Sequence, residues 1–350
     1  MTTVNLSAVA ASLGTIFEDQ IVSQINRATV LLQVLPTGFG NTHNIKWVNR
    51  FGTGTGSTIT DGADVDRTSG VGNDDRVAAT LEYGTYNESF AVTGKALAGA
   101  LATGNPADLK NLFAEELSDA IERLTKKLQL DLYTGTGTSE AMLGLYATAG
   151  ALRATGTYAG IDRAVRTQWA ATEMLNGSVV RALTLDLMRE MRRRIYIASG
   201  KKPDLIVTGP IVHEKYGKLM GQQRRYVQEV LMRGQRIVLD GGYQLLEFDG
   251  IPVLEDVDAP ADKMAFLNTR YLRVLQLPDS PSAVNQSQGM VGLKGTDEEQ
   301  LGMPSAKLQA RINPLGRDGD KYVFQLILYP QLQNKRCNAG GFIGDLDGTL

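Results

Sequence analysis

An α+β fold is the class this sequence predicts, and three observations predict it. Helix-like and strand-like runs follow one another in short units from Thr184 to Val274. One long amphipathic run extends from Pro106 to about Tyr133. Two further stretches, within residues 44–92 and 307–332, alternate apolar and polar side chains with the period of a strand.

The first element is helix-prone. Leu6, Val9, Leu13, Ile16, Phe17, Ile21, Val22 and Ile25 recur at helical spacing over residues 5–32, with Gly14 as an interruption. Such a run either packs on its own core or lies as an arm on another copy, and the pattern fits both. Pro36-Thr37-Gly38 ends it, and Asn44 to Arg50 alternates like a strand. Residues 51–75 hold six glycines, many Thr and Asp, and few apolar side chains. A stretch of that kind buries too little surface to offset an ordering cost of about 1–2 kcal/mol per residue. Arg76 to Val92 alternates again, so two strands flank a polar tip in a long β-hairpin. A lone hairpin is marginal in water and needs a partner surface.

The run from Pro106 to Tyr133 carries the strongest local signals. Asn105 suits the N-cap, Pro106 the first helical position and Asp108 the first turn. Leu109, Leu112, Phe113, Leu117, Ala120, Ile121, Leu124 and Leu128 form one stripe. Acids come early (Glu115, Glu116, Asp119) and bases late (Lys126, Lys127), as the helix dipole favours. Gly135 and Gly137 close it. Residues 150–180 read as a small strand followed by a short helix ending near Asn176-Gly177. The block after Thr184 reads as a helix over Leu185–Ala198, the run Pro203–Pro210, a helix over Val212–Met220, and strand-like runs at Phe248–Asp256, Lys263–Asn268 and Tyr271–Val274. From Lys307 alternation resumes, and Arg317-Asp318-Gly319-Asp320 reads as a turn between two strands.

The 350 residues are enough for two medium domains, with an ordinary 43% hydrophobic and 21% charged residues. Lys plus Arg number 36 against 38 Asp plus Glu, so bulk charge gives no sign of nucleic-acid binding. The single cysteine, Cys337, forbids an intrachain disulfide and fits a reducing compartment. No signal peptide is visible at the N-terminus, and no apolar run approaches the roughly 20 residues that span a bilayer.

Chemistry-bearing patterns are absent from the sequence. The two histidines, His43 and His213, have no partner nearby in sequence, and one cysteine with two distant histidines makes no zinc pattern. Gly94-Lys95 lacks the flanking residues of a phosphate loop, and Gly52-Thr-Gly54-Thr-Gly56 reads as a flexible tip. Asp61, Asp64 and Asp66 have the wrong spacing for a calcium loop. No catalytic residue, cofactor site or metal site is expected. Arg189, Arg192, Arg193 and Arg194 share one helix, and Arg224, Arg225, Arg233 and Arg236 form a second basic group. Ion pairing with the abundant acids is the favoured reading of both, since Arg suits bidentate carboxylate pairs.

The order of these elements resembles the major capsid (coat) proteins of tailed bacteriophages, a fold shared with encapsulins and the herpesvirus capsid floor. Phe248-Asp-Gly-Ile-Pro-Val253 is the sharpest single motif, and Gly135-Thr-Gly-Thr followed by Met142-Leu-Gly-Leu-Tyr-Ala147 supports it. The resemblance implies an N-terminal arm (1–43), an extended β-hairpin loop (44–92) and a peripheral domain (93–183) with its spine helix (106–133). An axial domain (184–305) follows, then peripheral-domain strands (306–336) and a C-terminal return to the axial domain (337–350). It implies a non-enzymatic structural protein that self-assembles into pentamers and hexamers of an icosahedral head around double-stranded DNA. The implied partners are other copies, a separate scaffolding protein, a portal, packaged DNA met by a basic cluster, and a decoration protein, with no membrane. The implied location is the virion, assembled in the bacterial host cytoplasm. An encapsulin-like compartment is the alternative within the fold, and an enzyme or binding module with an unrecognised site the alternative outside it. Charge and placement nominate intersubunit residues: Trp47, Arg50, Asp64, Asp66, Asp74, Asp75 and Arg76 in the loop, Glu115, Glu122, Lys126 and Lys127 on the spine helix, and Arg192, Arg224 and Arg225 in the axial domain.

Overall fold

The computed structural model describes residues 2–4, 30–40, 42–52, 61, 75–102, 106–221, 226–227, 229–232, 235–238, 245–277, 290–292 and 308–349. The arm positions 5–29, the hairpin tip with Asp64, Asp66 and Asp74, the cap Asn105, and Arg224, Arg225 and Arg233 lie outside them.

The chain opens with β1 (Thr2–Val4), α1 (Val30–Val34) and β2 (Thr37–Phe39), then the hairpin strands β3 (Ile45–Arg50) and β4 (Arg76–Leu81). β5 (Tyr86–Thr93) leads through α2 (Gly94–Ala102) into α3, the spine helix Pro106–Thr134. At about 1.5 Å per residue its 29 residues span about 43 Å. Its buried stripe of Ala120, Ile121, Leu124, Leu128 and Leu132 follows the expected 3.6-residue spacing. The stripe packs on a five-stranded sheet ordered β1-β5-β19-β18-β17, whose last strands are β17 (Met290–Gly292), β18 (Gln309–Asp318) and β19 (Lys321–Leu328). Phe90 of β5, Phe113 of α3 and Phe324 of β19 meet with ring centroids 5.1–5.5 Å apart and pin helix to sheet.

A second body surrounds a seven-stranded sheet. After the two-residue strands β6 (Thr157–Tyr158) and β7 (Ile161–Asp162) come β8 (Thr172–Met174), α4 (Leu185–Ser199), β9 (Leu205–Thr208) and α5 (Pro210–Met220). β10 (Tyr226–Val227), the small pair β11 (Glu229–Met232) and β12 (Gln235–Val238), β13 (Leu245–Phe248), β14 (Ile251–Glu255), β15 (Met264–Leu267) and β16 (Leu272–Gln276) follow. The chain ends through β20 (Pro330–Asn334) and β21 (Gly341–Ile343). The large sheet runs β10-β13-β14-β9-β15-β21-β8, so the C-terminal strand enters it between β15 and β8. Thr184 caps α4 by accepting the Leu187 amide at 3.2 Å, and Gly200, with φ of 67°, ends it in the left-handed region. Met188, Met191 and Ile195 of α4 and Val212 and Tyr216 of α5 bury against this sheet as a second core. β2, β16 and β20 form a separate three-stranded sheet.

Two expectations change. The alternation over 76–92 is not one hairpin strand: β4 ends at Leu81 opposite Ile45, and β5 joins the five-stranded sheet along β19. The break is at Gly84. Its backbone lies so close to the 136–143 loop that a Cβ there would sit 2.8 Å from the Met142 amide nitrogen, and the next amide, Thr85, donates to the Glu140 carbonyl. Residues 150–180 hold no α-helix, only β6, β7, one 3-10 turn (Thr167–Trp169) and β8. Left-handed backbone at Gly156, Ala159, Gly160, Gly177 and Ser178 interrupts any helical run there. Arg163, 2% exposed, holds the loop instead by donating to the carbonyls of Thr155 (3.0 Å) and Gly150 (2.8 Å).

Candidate intersubunit surface

The hairpin has two unlike faces. On the inner face Ile45, Ala79 and Leu81 are buried, with Trp47 and Val77 packed beside them. On the outer face Lys46, Val48, Arg50, Arg76 and Ala78 are exposed, and Val48 keeps 66% of its surface in water. Arg50 and Arg76 are direct cross-strand partners, and like charges so placed repel. The outer face is therefore an apolar centre, Val48 opposite Ala78, with cations toward its ends.

The hairpin is anchored at its root by residues the sequence reading missed. Trp169 is 3% exposed and faces Trp47 (6.5 Å between ring centroids), Phe51 (6.0 Å) and Tyr158 (6.0 Å), while its indole N–H donates to the Tyr158 carbonyl at 3.2 Å. Arg166 grips the Asp75 carboxylate with both terminal nitrogens. The Thr80 amide donates to the Ala159 carbonyl at 2.9 Å. Trp47 and Asp75, nominated as contacts to another copy, are thus engaged inside their own chain. The signal available was the scarcity of tryptophan: with only two in the sequence, each was a candidate anchor for the other.

The spine helix carries the opposite charge. Burial, then the neighbouring Asp119 carboxylate, pushes Glu115 and Glu116 above the usual carboxylate range. Glu122 is half-buried and Lys126 exposed. Lys127 pairs with Asp131 at 2.9 Å, and Asp131 also accepts the Tyr86 hydroxyl at 2.7 Å, which ties the helix to β5.

The basic helix α4 is largely ion-paired within the chain. Arg189 meets Asp186 at 3.1 Å, Arg194 meets Glu190, and Arg192 reaches Asp249 in the β13–β14 turn. The motif Phe248-Asp-Gly-Ile is that turn: Asp249 and Gly250 both adopt positive φ, as a two-residue hairpin requires. The remaining reactive side chains lie apart from one another. His43 is exposed. His213 lies 3.3 Å from Glu255, with burial lowering its pKa. Cys337 is fully buried and its thiol is pushed up to about 12 by that burial. Among the described residues no cluster of three or more His, Cys, Asp or Glu could hold a metal, and no helix is long and apolar enough to cross a membrane.

Comparison with known proteins bears on this architecture. The family described as SU10 major capsid protein matches residues 83–291, more than half of the chain. The capsid asymmetric unit of cyanophage A-1(L) shares the fold with a TM-score of 0.70 and 23% identity, over 91% of this chain and 93% of that one. The SrpI encapsulin of Synechococcus elongatus PCC 7942 matches with a TM-score of 0.57 and 14% identity, over 99% and 98%. The structure titled Mycobacterium phage Bobi matches at 0.51 and 14%, over 99% of both chains. No curated protein matches the chain. At these identities the solved structures speak to fold, whereas the family match speaks to kinship.

Proposed function

This chain belongs to the SU10 major capsid protein family, and from that premise we propose that its copies associate into pentamers and hexamers of an icosahedral head around double-stranded DNA. It is a phage major capsid protein and a component of the virion. The role is structural, and assembly takes the place of catalysis. The observation that carries the reading is the family match over residues 83–291, joined to a capsid fold that extends beyond it to 91% of the chain.

An arm (1–43), an extended loop (44–92), a peripheral domain (93–183 and 306–336) and an axial domain (184–305, closed by 337–350) are the working units. β3 and β4 pair as strands only with each other among the described residues, and beyond the Thr80–Ala159 bond at its root the hairpin offers an apolar outer centre to another copy. Its cationic outer face, with Lys46, Arg50 and Arg76, complements the acids in the first half and middle of a neighbour's spine helix, with Glu115 and Glu122 as the anionic contacts. Each such contact is weak, and repetition around a closed shell multiplies them. A scaffolding protein, a portal, packaged DNA and a decoration protein complete the proposed partners.

The test is electron microscopy of the chain expressed alone and with its neighbouring genes. Closed shells or polyheads are the expected result; persistent monomers under both conditions would overturn the reading. Arg76→Glu should abolish closed particles without unfolding the chain, and Glu115→Lys in the same chain should restore them in part. Normal shells from Arg76→Glu would remove the hairpin–spine contact from the proposal.

A further inference from the structure

Asp256 is a fully buried carboxylate with no cation paired to it among the described residues, placed where three distant parts of the chain meet. It follows β14 directly, at the end of the seven-stranded sheet, with its own amide donating to the Thr208 carbonyl at 2.9 Å. Four donors converge on its side chain. Oδ2 accepts the Tyr133 hydroxyl at 2.6 Å, the Gln129 side-chain amide, and the Leu31 backbone amide at 3.2 Å. Oδ1 accepts the Asp258 amide at 3.0 Å. Gln129 in turn offers its Oε1 to the Leu32 amide at 3.1 Å.

The consequence lies at α1. The first amides of any helix have no partner within it. Here those of Leu31 and Leu32 are capped from 225 and 97 residues away, by the sheet end and by the spine helix. Leu31, Leu32, Val34 and Leu35 are all buried, so apolar burial supplies most of the attraction holding this segment. Apolar burial has no direction and leaves register and azimuth open, whereas two capped amides fix both. The segment then continues into β2, where the Val274 amide donates to the Pro36 carbonyl at 2.9 Å and Gly40 to Gln276 at 2.8 Å.

We infer that Asp256 is the positioning residue of a three-way latch, which clamps residues 30–40 as a strap across the junction of spine helix and seven-stranded sheet. Because one oxygen binds strap and spine helix together, the strap cannot keep its place if helix and sheet end move apart. A subunit that flexes at this junction must open the latch, and a closed latch makes the three parts one body. Tyr133 and Gln129 act through Asp256 and are its supports on the helix side.

Amide hydrogen exchange of the full chain, resolved at single residues, tests this. In Asp256→Ala the amides of Leu31, Leu32 and Leu35 should all exchange at least tenfold faster, while Ile206 and Ala265 in the central strands keep their protection. Asp256→Asn retains one acceptor oxygen and should recover much of the loss across the whole strap. An effect confined to Leu31, or none, would overturn the inference by reducing Asp256 to an isolated bond. So would an Asn variant no better protected than Ala. Should Asp256→Ala also lose protection at Ile206 and Ala265, Gln129→Leu is the second variant. It must loosen the strap with the central strands intact, or the latch falls. The measurement needs no assembled shell, so its outcome is separate from that of the shell reading.

Discussion

Removing the indole at Trp169 should uncouple the hairpin from the body of the subunit. The side chain is 3% exposed, faces three aromatic rings at 6.0–6.5 Å and donates one hydrogen bond. Truncating a buried aromatic residue to alanine costs about 3–5 kcal/mol. Trp169→Phe keeps a ring but leaves the Tyr158 carbonyl without its donor, a loss of roughly 1–3 kcal/mol. With an m-value of about 3 kcal/mol/M, a 4 kcal/mol loss lowers the urea midpoint by about 1.3 M. The assay has a local reporter, because the chain has only two tryptophans and the variants leave Trp47 alone. Trp47 packs on the missing ring, so its emission should shift to the red in Trp169→Ala at urea concentrations well below the midpoint, and far less in Trp169→Phe. A loss under about 1 kcal/mol with unshifted Trp47 emission would refute Trp169 as the anchor of the hairpin root.

Three further outcomes follow from buried groups. Burial outweighs the converging donors and holds Asp256 above its usual 3.8, with Tyr133, Tyr146 and Asp258 the titratable groups around it and Asp258 adding to the rise. The closed latch therefore binds more protons than an open, solvated one. Its stability is fullest below the usual Asp value and declines as pH rises through the raised one. Protection at Leu31 and Leu35, corrected for intrinsic exchange, should be higher near about pH 4 than near about pH 7, and a flat or inverted profile contradicts this. Cys337, with its thiol at about 12 and no exposed surface, should react with a thiol reagent only as fast as the chain opens, so labelling should accelerate with urea; rapid labelling of the native chain counts against the burial. Gly341→Ala places a methyl group against the Thr172 carbonyl and Met191 where β21 sits between β15 and β8, and should cost about 1–3 kcal/mol in denaturant melts.

Local signals were legible where local physics decides the outcome. Pro106 opens the spine helix and Thr184 caps α4 because caps depend on residues one turn apart. The 317–320 turn and the strands around it follow from alternation plus a glycine at positive φ. The limit lies where a strand's end is set by something far away in sequence. Nothing in Arg76 to Val92 marks a change of sheet, because Gly84 bends the chain over a loop more than fifty residues on. The short helix expected late in 150–180 does not form for a related reason: the region's organiser is a buried arginine satisfied by carbonyls, a pattern with no period.

The nominated surface divides along the same line. Exposure of Arg50, Arg76 and Lys126 could be anticipated, since charged residues on the polar side of a strand or helix stay in water. Charge alone could not say which ions were already engaged, and Asp75, Lys127 and Arg192 prove to be held by Arg166, Asp131 and Asp249 of the same chain. Their partners lie 91, 4 and 57 residues away, and only the helical i,i+4 pair was readable from spacing. This separates two effects of mutation. Reversing Asp75 or Arg192 first breaks a pair inside the subunit, so a loss of assembly there says little about contacts between copies. Reversing Lys126, exposed on the spine helix, perturbs surface charge with far less disturbance of the fold. That position carries the cleaner information about how one copy meets the next.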